Sequence, residues 1–182
     1  MLETLITNKT RLKLLLKFFL NSNSSSYLRN LEGEFDESSN SIRIELNRFE
    51  VAGLLVSNSE KNRKIFRANT RHPLFPDIHN ILMKYIGFDQ IIDKLVDKLS
   101  GINKAYIVGD FARGKDAGNI ELILIGTQFD KNYLDHLIEK VEGLIKRKIS
   151  CLILNELEEN NYIHGHPEAF VLWKSDYKNV LT

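Results

Sequence analysis

Residues 104–126 read KAYIVGDFARGKDAGNIELILIG. The run opens as an apolar strand over 105–108 and turns at Gly109. It then passes through Ala112, Arg113 and Gly114 as a short helix or loop and resumes as a strand over 119–125. In that second strand Asn119 and Glu121 stand two residues apart, so their side chains share one face with Cα atoms roughly 6.6 Å apart. Two oxygen-bearing side chains on one face, beside a glycine turn leading out of a strand, form the layout of a metal-nucleotide site.

Outward from this stretch the periodicity alternates. Residues 88–99 place Ile91, Ile92, Leu95, Val96 and Leu99 on one helical face, and a further helix is predicted over 130–146. A strand over 149–154, a short helical piece over 155–162 and a strand over 169–173 follow. Alternating strands and helices predict a small α/β sheet covered on one face.

Gly109-Asp110, then Phe111-Ala112-Arg113-Gly114, then Asn119-Ile120-Glu121 resemble the signature of the nucleotidyltransferase fold of DNA polymerase beta and the minimal, MNT-type nucleotidyltransferases. The resemblance spans residues 88–174, about half the chain, and implies that fold. The chemistry departs from the family in three places. Asp110 stands where the family has a serine that helps hold the triphosphate, and a carboxylate there repels phosphate oxygens. Asn119 replaces the first metal-binding carboxylate, and an amide oxygen is a weaker ligand for a hard cation. The family's third carboxylate sits on the next strand, where residues 149–154 carry none. Two-metal displacement requires several carboxylates. The expectation is therefore a retained fold with no catalytic residue, metal or cofactor, in which Gly109, Asp110, Arg113, Asn119 and Glu121 mark a vestigial nucleotide site.

Residues 1–86 read differently. A helix is predicted over 8–20 from Leu12, Leu15, Leu16 and Phe19. After the polar run 21–25, with Ser24 or Ser25 as a cap, a helix over 27–35 buries Tyr27, Leu28 and Leu31. A turn at 37–40 opens a third helix through Ile42, Ile44, Leu46 and Phe49, which stops at Gly53. Strands over 54–57 and 64–68 make a basic hairpin. Three helices followed by a basic hairpin give a winged helix-turn-helix. SSSYLRNLEGEFDESSNSIRIELNRFEVAGLL with that hairpin resembles the ArsR- and MarR-type bacterial transcription regulators over residues 8–70.

In such a motif the third helix enters the major groove. Ser39, Asn40, Arg43 and Asn47 fall on its exposed side, with Arg43 suited to guanine and Asn40 or Asn47 to adenine. Lys61, Arg63 and Lys64 on the wing suit phosphate contacts, which set affinity without reading sequence. Glu45 and Glu50 interrupt this basic face and would equally suit an ordinary solvated helix. A further helix beginning near Pro73 and Pro76 is apolar through Leu74, Phe75, Ile78, Ile81, Leu82 and Tyr85, which favours a homodimer.

The 182 residues carry 43% hydrophobic and 27% charged side chains, the composition of a globular protein. No apolar run approaches the ~18 residues of a membrane span, and the opening MLETLITNKTRLKLL lacks a signal-peptide cleavage pattern; no membrane contact and a cytoplasmic location are expected. The net charge of +1 hides an asymmetry: residues 1–86 carry 13 Lys/Arg against 9 Asp/Glu, residues 87–182 carry 12 against 15. A basic half joined to an acidic half predicts two domains, 1–86 and 87–182, the first meeting a polyanion. Cys151 is alone and reads as a small buried hydrophobe, and Trp173 as core. His164 and His166 read as loop histidines, since one HxH without supporting ligands is a weak metal motif. Arg113 suits a phosphate or an acidic partner, or a pin to Asp116 or Glu121. The triplet Lys146-Arg147-Lys148 suits a helix C-terminus.

The expected protein is thus α/β (α+β): an N-terminal winged helix binding double-stranded DNA as a transcriptional regulator, then a degenerate nucleotidyltransferase-like domain that senses a nucleotide, binds a protein or stabilises the dimer. The alternatives are an active minimal nucleotidyltransferase whose winged helix presents a substrate, and a non-enzymatic protein-interaction module.

Overall fold

The computed structural model describes residues 2–60, 63–127 and 130–175. The chain divides into two compact units. One contains Met1–Tyr85 with Arg113–Lys115; the other contains Ile86–Ala112 and the residues from Asp116 onward.

The first unit begins with a single helical turn, α1 (Leu2–Leu5), and with α2 (Lys9–Leu15), whose first turn is capped by the Asn8 side chain accepting the Arg11 N–H. The helix continues as a π turn over Leu16–Leu20, which brings Phe18 and Phe19 as well as Leu20 inward. Then come β1 (Ser25–Tyr27), α3 (Leu28–Phe35), α4 (Ser39–Val51), β2 (Leu55–Glu60), β3 (Arg63–Ala68) and α5 (Phe75–Ile86). The three strands form an antiparallel sheet in the order β1-β3-β2. Leu14, Phe18, Phe19, Leu31, Ile42, Leu46 and Leu55 make the core, none more than 1% exposed. Burying each such side chain stabilises the fold by about 1.5–3 kcal/mol.

Several expectations change here. Ser25 is not a helix cap: Ser25–Tyr27 is a strand, with Ser26 opposite Phe66 and Tyr27 opposite Ile65. The chain enters α3 straight from this strand, and Tyr27 at the N-cap makes no side-chain cap. Tyr27 and Leu28 are consequently only half-buried. Ile44 on α4 is 43% exposed, because Ile42, Leu46 and Phe49 already fill the inner stripe.

The second unit opens with α6 (Phe88–Lys94) and a 3₁₀ turn over Val96–Lys98. Gly87 precedes it at φ +96°, where an added Cβ would lie 2.4 Å from the Ile145 side chain, so only glycine fits. β4 (Ile102–Val108), α7 (Gly109–Ala112), β5 (Asn119–Gly126), α8 (Lys131–Ile145), β6 (Lys148–Leu154), α9 (Glu156–His164) and β7 (Phe170–Lys174) follow. The sheet order is β6-β5-β4-β7. β5 and β6 are parallel and joined through α8, while β4 runs antiparallel to both β5 and β7. The architecture is mixed α/β with two sheets.

This second sheet is covered on both faces, not one. Tyr162 and Ile163 of α9 pack on Val108, Ile123 and Ile125. That explains why β5 is buried at nearly every position rather than alternately. Glu159 of α9 ties the same face down, accepting from Lys104 Nζ at 2.7 Å and from the Tyr106 hydroxyl at 2.6 Å. Burial pushes the Glu159 carboxyl up, but these partners outweigh it and hold it below the ordinary carboxylate range. Burial, reinforced by Glu159, raises the Tyr106 phenol to about 12. Trp173, expected in the core, is half-buried on β7.

Candidate functional site

The first unit presents a groove of about 540 Å³ between α3, α4 and the β2–β3 hairpin. Arg43 and Asn47 of α4 and Arg63 and Lys64 of β3 line it together, although the chain separates them by up to 21 positions. Ser38 caps α4 by accepting the Ser41 N–H at 3.2 Å. With Ile42, Leu46 and Phe49 inward, the helical period turns Arg43 and Asn47 to solvent, and both are exposed. Ser39 and Asn40 sit at the start of α4, the first half-buried and the second exposed, outside this groove. Lys61 lies outside the described residues.

The charges on this unit fall into two sets. Glu45 is buried and takes hydrogen bonds from Arg11 Nε at 2.7 Å and from Arg48. Burial pushes its carboxyl up, yet the two guanidiniums more than offset this and hold it below the ordinary range. Glu50 accepts from Lys64 Nζ at 2.6 Å and from the Ser57 hydroxyl, which lower its pKa. The two glutamates that interrupt the basic face in sequence are therefore internal counter-ions. Arg11, Arg48 and Lys64 are occupied by them, and Lys64 also lies 5.3 Å from the Phe66 ring centroid. By contrast, among the described residues no carboxylate pairs with Arg29, Arg43 or Arg63.

Arg29 and Asn30 also line the groove, and sequence reasoning missed them. The stripe of Leu28, Leu31 and Phe35 already turns them outward on α3. That they face α4's Arg43 depends on how the two helices cross.

In the second unit Gly109 stands at the end of β4 with φ +67°, opening α7. Val108 pairs with Glu121 across the sheet, and an added Cβ on Gly109 would lie 1.8 Å from Glu121 Oε1. Glycine is required because the Glu121 carboxylate occupies that space. Asn119 lies next to Ser150 of β6, whose hydroxyl donates to Asn119 Oδ1 at 3.2 Å.

Glu168, far away in sequence, joins this site. Its Oε1 lies 3.4 Å from the Gly109 nitrogen, a long contact, and 3.3 Å from His166 Nδ1. The His166 ring stacks on Tyr162 with centroids 4.7 Å apart. The backbone donor at the glycine turn thus faces a carboxylate of the chain itself, and two carboxylates border Gly109. Among the described residues no three His, Cys, Asp or Glu side chains are grouped to hold a metal ion. No local pattern announces Glu168, which reaches the site only because β7 pairs with β4.

The loop after α7 is fixed from elsewhere. Arg147 donates through Nη2 and Nε to Asp116, reaches the Ile86 carbonyl at 3.3 Å and lies over the Phe111 ring. Asp116 in turn accepts the Gly118 N–H. Arg147 is therefore a loop anchor rather than only a complement to the helix dipole, holding Asp116, one of the two carboxylates considered for Arg113. Arg113 groups with the first unit, whereas Gly109, Asp110, Asn119 and Glu121 belong to the second. Cys151 is free and half-buried on β6, and burial, with the nearby Asp135 charge, pushes its thiol up to about 12.

No protein-family model matches the chain, and no curated protein matches it either. Solved structures similar to it include a chain of the Shewanella oneidensis complex of tri-AMPylated HEPN toxin with MNT antitoxin. That match has 14% identity and a TM-score of 0.37, and covers 51% of this chain and 74% of that one. A Sulfolobus solfataricus protein described as a nucleotidyltransferase matches at 16% identity and TM-score 0.37, over 55% of this chain and 89% of that one. A mutant MntA–HpeT toxin–antitoxin structure matches at 15% and 0.39, over 49% and 74%. Likenesses this distant do not bear on activity. No described helix is long and apolar enough to cross a membrane.

Proposed function

We propose that the chain is a DNA-binding transcriptional regulator: a winged helix that lays α4 in the major groove, joined to a catalytically degenerate nucleotidyltransferase-like unit. The observation that carries this reading is the groove beside α4, where among the described residues Arg29, Arg43 and Arg63 have no carboxylate ion pair, Glu45 and Glu50 are taken up by other cations, and Glu32 is the one carboxylate in the lining. The succession α2, β1, α3, α4, β2, β3 with the sheet order β1-β3-β2 supports it, being the arrangement expected of a winged helix. Arg43 and Asn47 are suited to base edges, and Arg29, Arg63 and Lys64 to phosphates. Lys64 must then share its charge between Glu50 and DNA.

The second unit is read as a sensor or interaction module. Asn119 bonded to Ser150, with no carboxylate on β6, leaves two-metal chemistry without its ligands. One observation favours the alternative of an active nucleotidyltransferase: Glu168 adds a second carboxylate beside Gly109.

The test is duplex selection from genomic fragments, followed by fluorescence anisotropy over a salt series. Affinity should fall steeply with salt as counterions are released. Arg43→Ala should cost about 1–3 kcal/mol and relax one base position. Failure to enrich any duplex, or binding indifferent to salt, would remove this reading.

A further inference from the structure

We propose that the first unit carries a second anion site, distinct from the α4 groove, that takes a phosphoryl group in the hollow at the base of the β2–β3 hairpin. The hollow measures about 650 Å³, and Ser22, Asn23, Arg67, Asn69, Thr70 and Arg71 contribute to its lining. It shares no residue with the α4 groove. The site therefore stands on its own lining whether or not α4 reads DNA.

Arg67 lies on the central strand of the sheet, flanked in register by Ser25 of β1 and Val56 of β2. Phe66 and Ala68 on either side of it are buried, so alternation along the strand turns Arg67 out onto the open face. Arg71 is held by a braced turn: Asn69 Nδ2 donates to the Gly53 carbonyl at 2.8 Å, and Asn69 Oδ1 accepts the Arg71 N–H at 3.2 Å. Across the hollow, buried Asn21 accepts the Asn23 N–H at 3.1 Å. Both walls have fixed backbones.

The chemistry is one-sided. Among the described residues no carboxylate lines the hollow. Among the described residues neither guanidinium has an ion-pair partner, and the Ser22, Asn23 and Thr70 side chains are not hydrogen-bonded elsewhere. Two cations opening on one cavity repel each other until an anion enters. Guanidinium forks, hydroxyls and an amide are the donors that match phosphate oxygens. The volume suits a mononucleotide-sized ligand, and one phosphate of a duplex backbone would meet the same donors.

The experiment has two arms on the full chain, comparing wild type, the Arg67→Gln/Arg71→Gln pair and Arg43→Ala. In the first, inorganic phosphate is titrated at low ionic strength while the arginine Nε–H resonances are followed by NMR. Phosphate should move the Arg67 and Arg71 signals selectively. The response should vanish in the double variant and survive in Arg43→Ala. In the second arm, duplex affinity is measured across salt. If the phosphate belongs to the duplex backbone, the double variant lowers the slope of log K against log[salt] by about 1–2. An unchanged slope alongside a lost phosphate response assigns the site to a free phosphorylated ligand.

Uniform shifts over all surface arginines, or an unchanged phosphate response and slope in a double variant that circular dichroism shows to be folded, overturns the proposal. Should the pair not fold, the single variants decide by the same readouts. If wild type binds no duplex but its phosphate response depends on Arg67 and Arg71, the DNA reading falls and this site stands.

Discussion

Replacing Glu45 by Gln tests what holds α4 in place. The side chain is 2% exposed and receives Arg11 Nε at 2.7 Å, Arg11 Nη2 and Asn8 Nδ2 each at 3.3 Å, and an Arg48 bond. Glutamine keeps the shape and removes the charge. Charge-assisted hydrogen bonds contribute about 1.5–3 kcal/mol each in net terms. Two effects reduce that figure. Arg11 and Arg48 are 39% and 59% exposed and remain hydrated, and the neutral amide is cheaper to bury. A loss of about 1–2 kcal/mol remains, or roughly 4–15 °C in melting temperature for a unit of this size.

The sign with pH follows from the depressed carboxyl. Its stabilisation is complete above the unfolded value of about 4.3 and is lost as pH falls through the lower folded value. Urea melts by circular dichroism, with hydrogen exchange of the α4 amides to locate the effect, should therefore show a gap between wild type and variant at neutral pH that closes on acidification. A variant as stable as wild type at pH 7, or a gap that persists unchanged to about pH 3, would refute the view that the buried carboxylate clamps α4 to α2.

Gly109→Ala should destabilise the second unit by more than Gly118→Ala in urea denaturation. Both alter a glycine at positive φ, costing roughly 1–2 kcal/mol, but only at Gly109 does the new Cβ strike Glu121, while Gly118 faces open space; equal midpoints would contradict the packing. Labelled ATP, CTP, GTP or UTP with Mg²⁺ or Mn²⁺ should label neither the protein nor added RNA, and labelling lost in Glu121→Ala and Glu168→Ala would promote the enzyme reading. Sedimentation at micromolar concentration should give twice the 21.0 kDa chain mass, through the apolar surface of α5 and the turn before it, where Ile81 and Leu74 are 52% and 54% exposed. Ile81→Glu should halve that mass without unfolding, and a monomeric wild type would remove the dimer.

Local pattern sufficed wherever a structure is made by neighbours in the chain. The stripe of Ile42, Leu46 and Phe49 placed α4 and turned Arg43 and Asn47 outward, and the step of two between Asn119 and Glu121 put them on one face, because helix and strand periods are fixed by backbone geometry. What depended on pairing between distant segments was not legible. Ser25–Tyr27 carries capping residues and becomes a strand only because β3 supplies its ladder partners. Glu45 and Glu50 read as acidic interruptions of a basic face, and only the approach of Arg11 and Lys64 shows that they neutralise cations internally. Glu168 reaches Gly109, and Arg147 reaches Asp116, across 59 and 31 positions. Such contacts are set by which strands pair and which helices pack. A side chain's charge is written in the chain; its counter-ion is chosen by the tertiary fold.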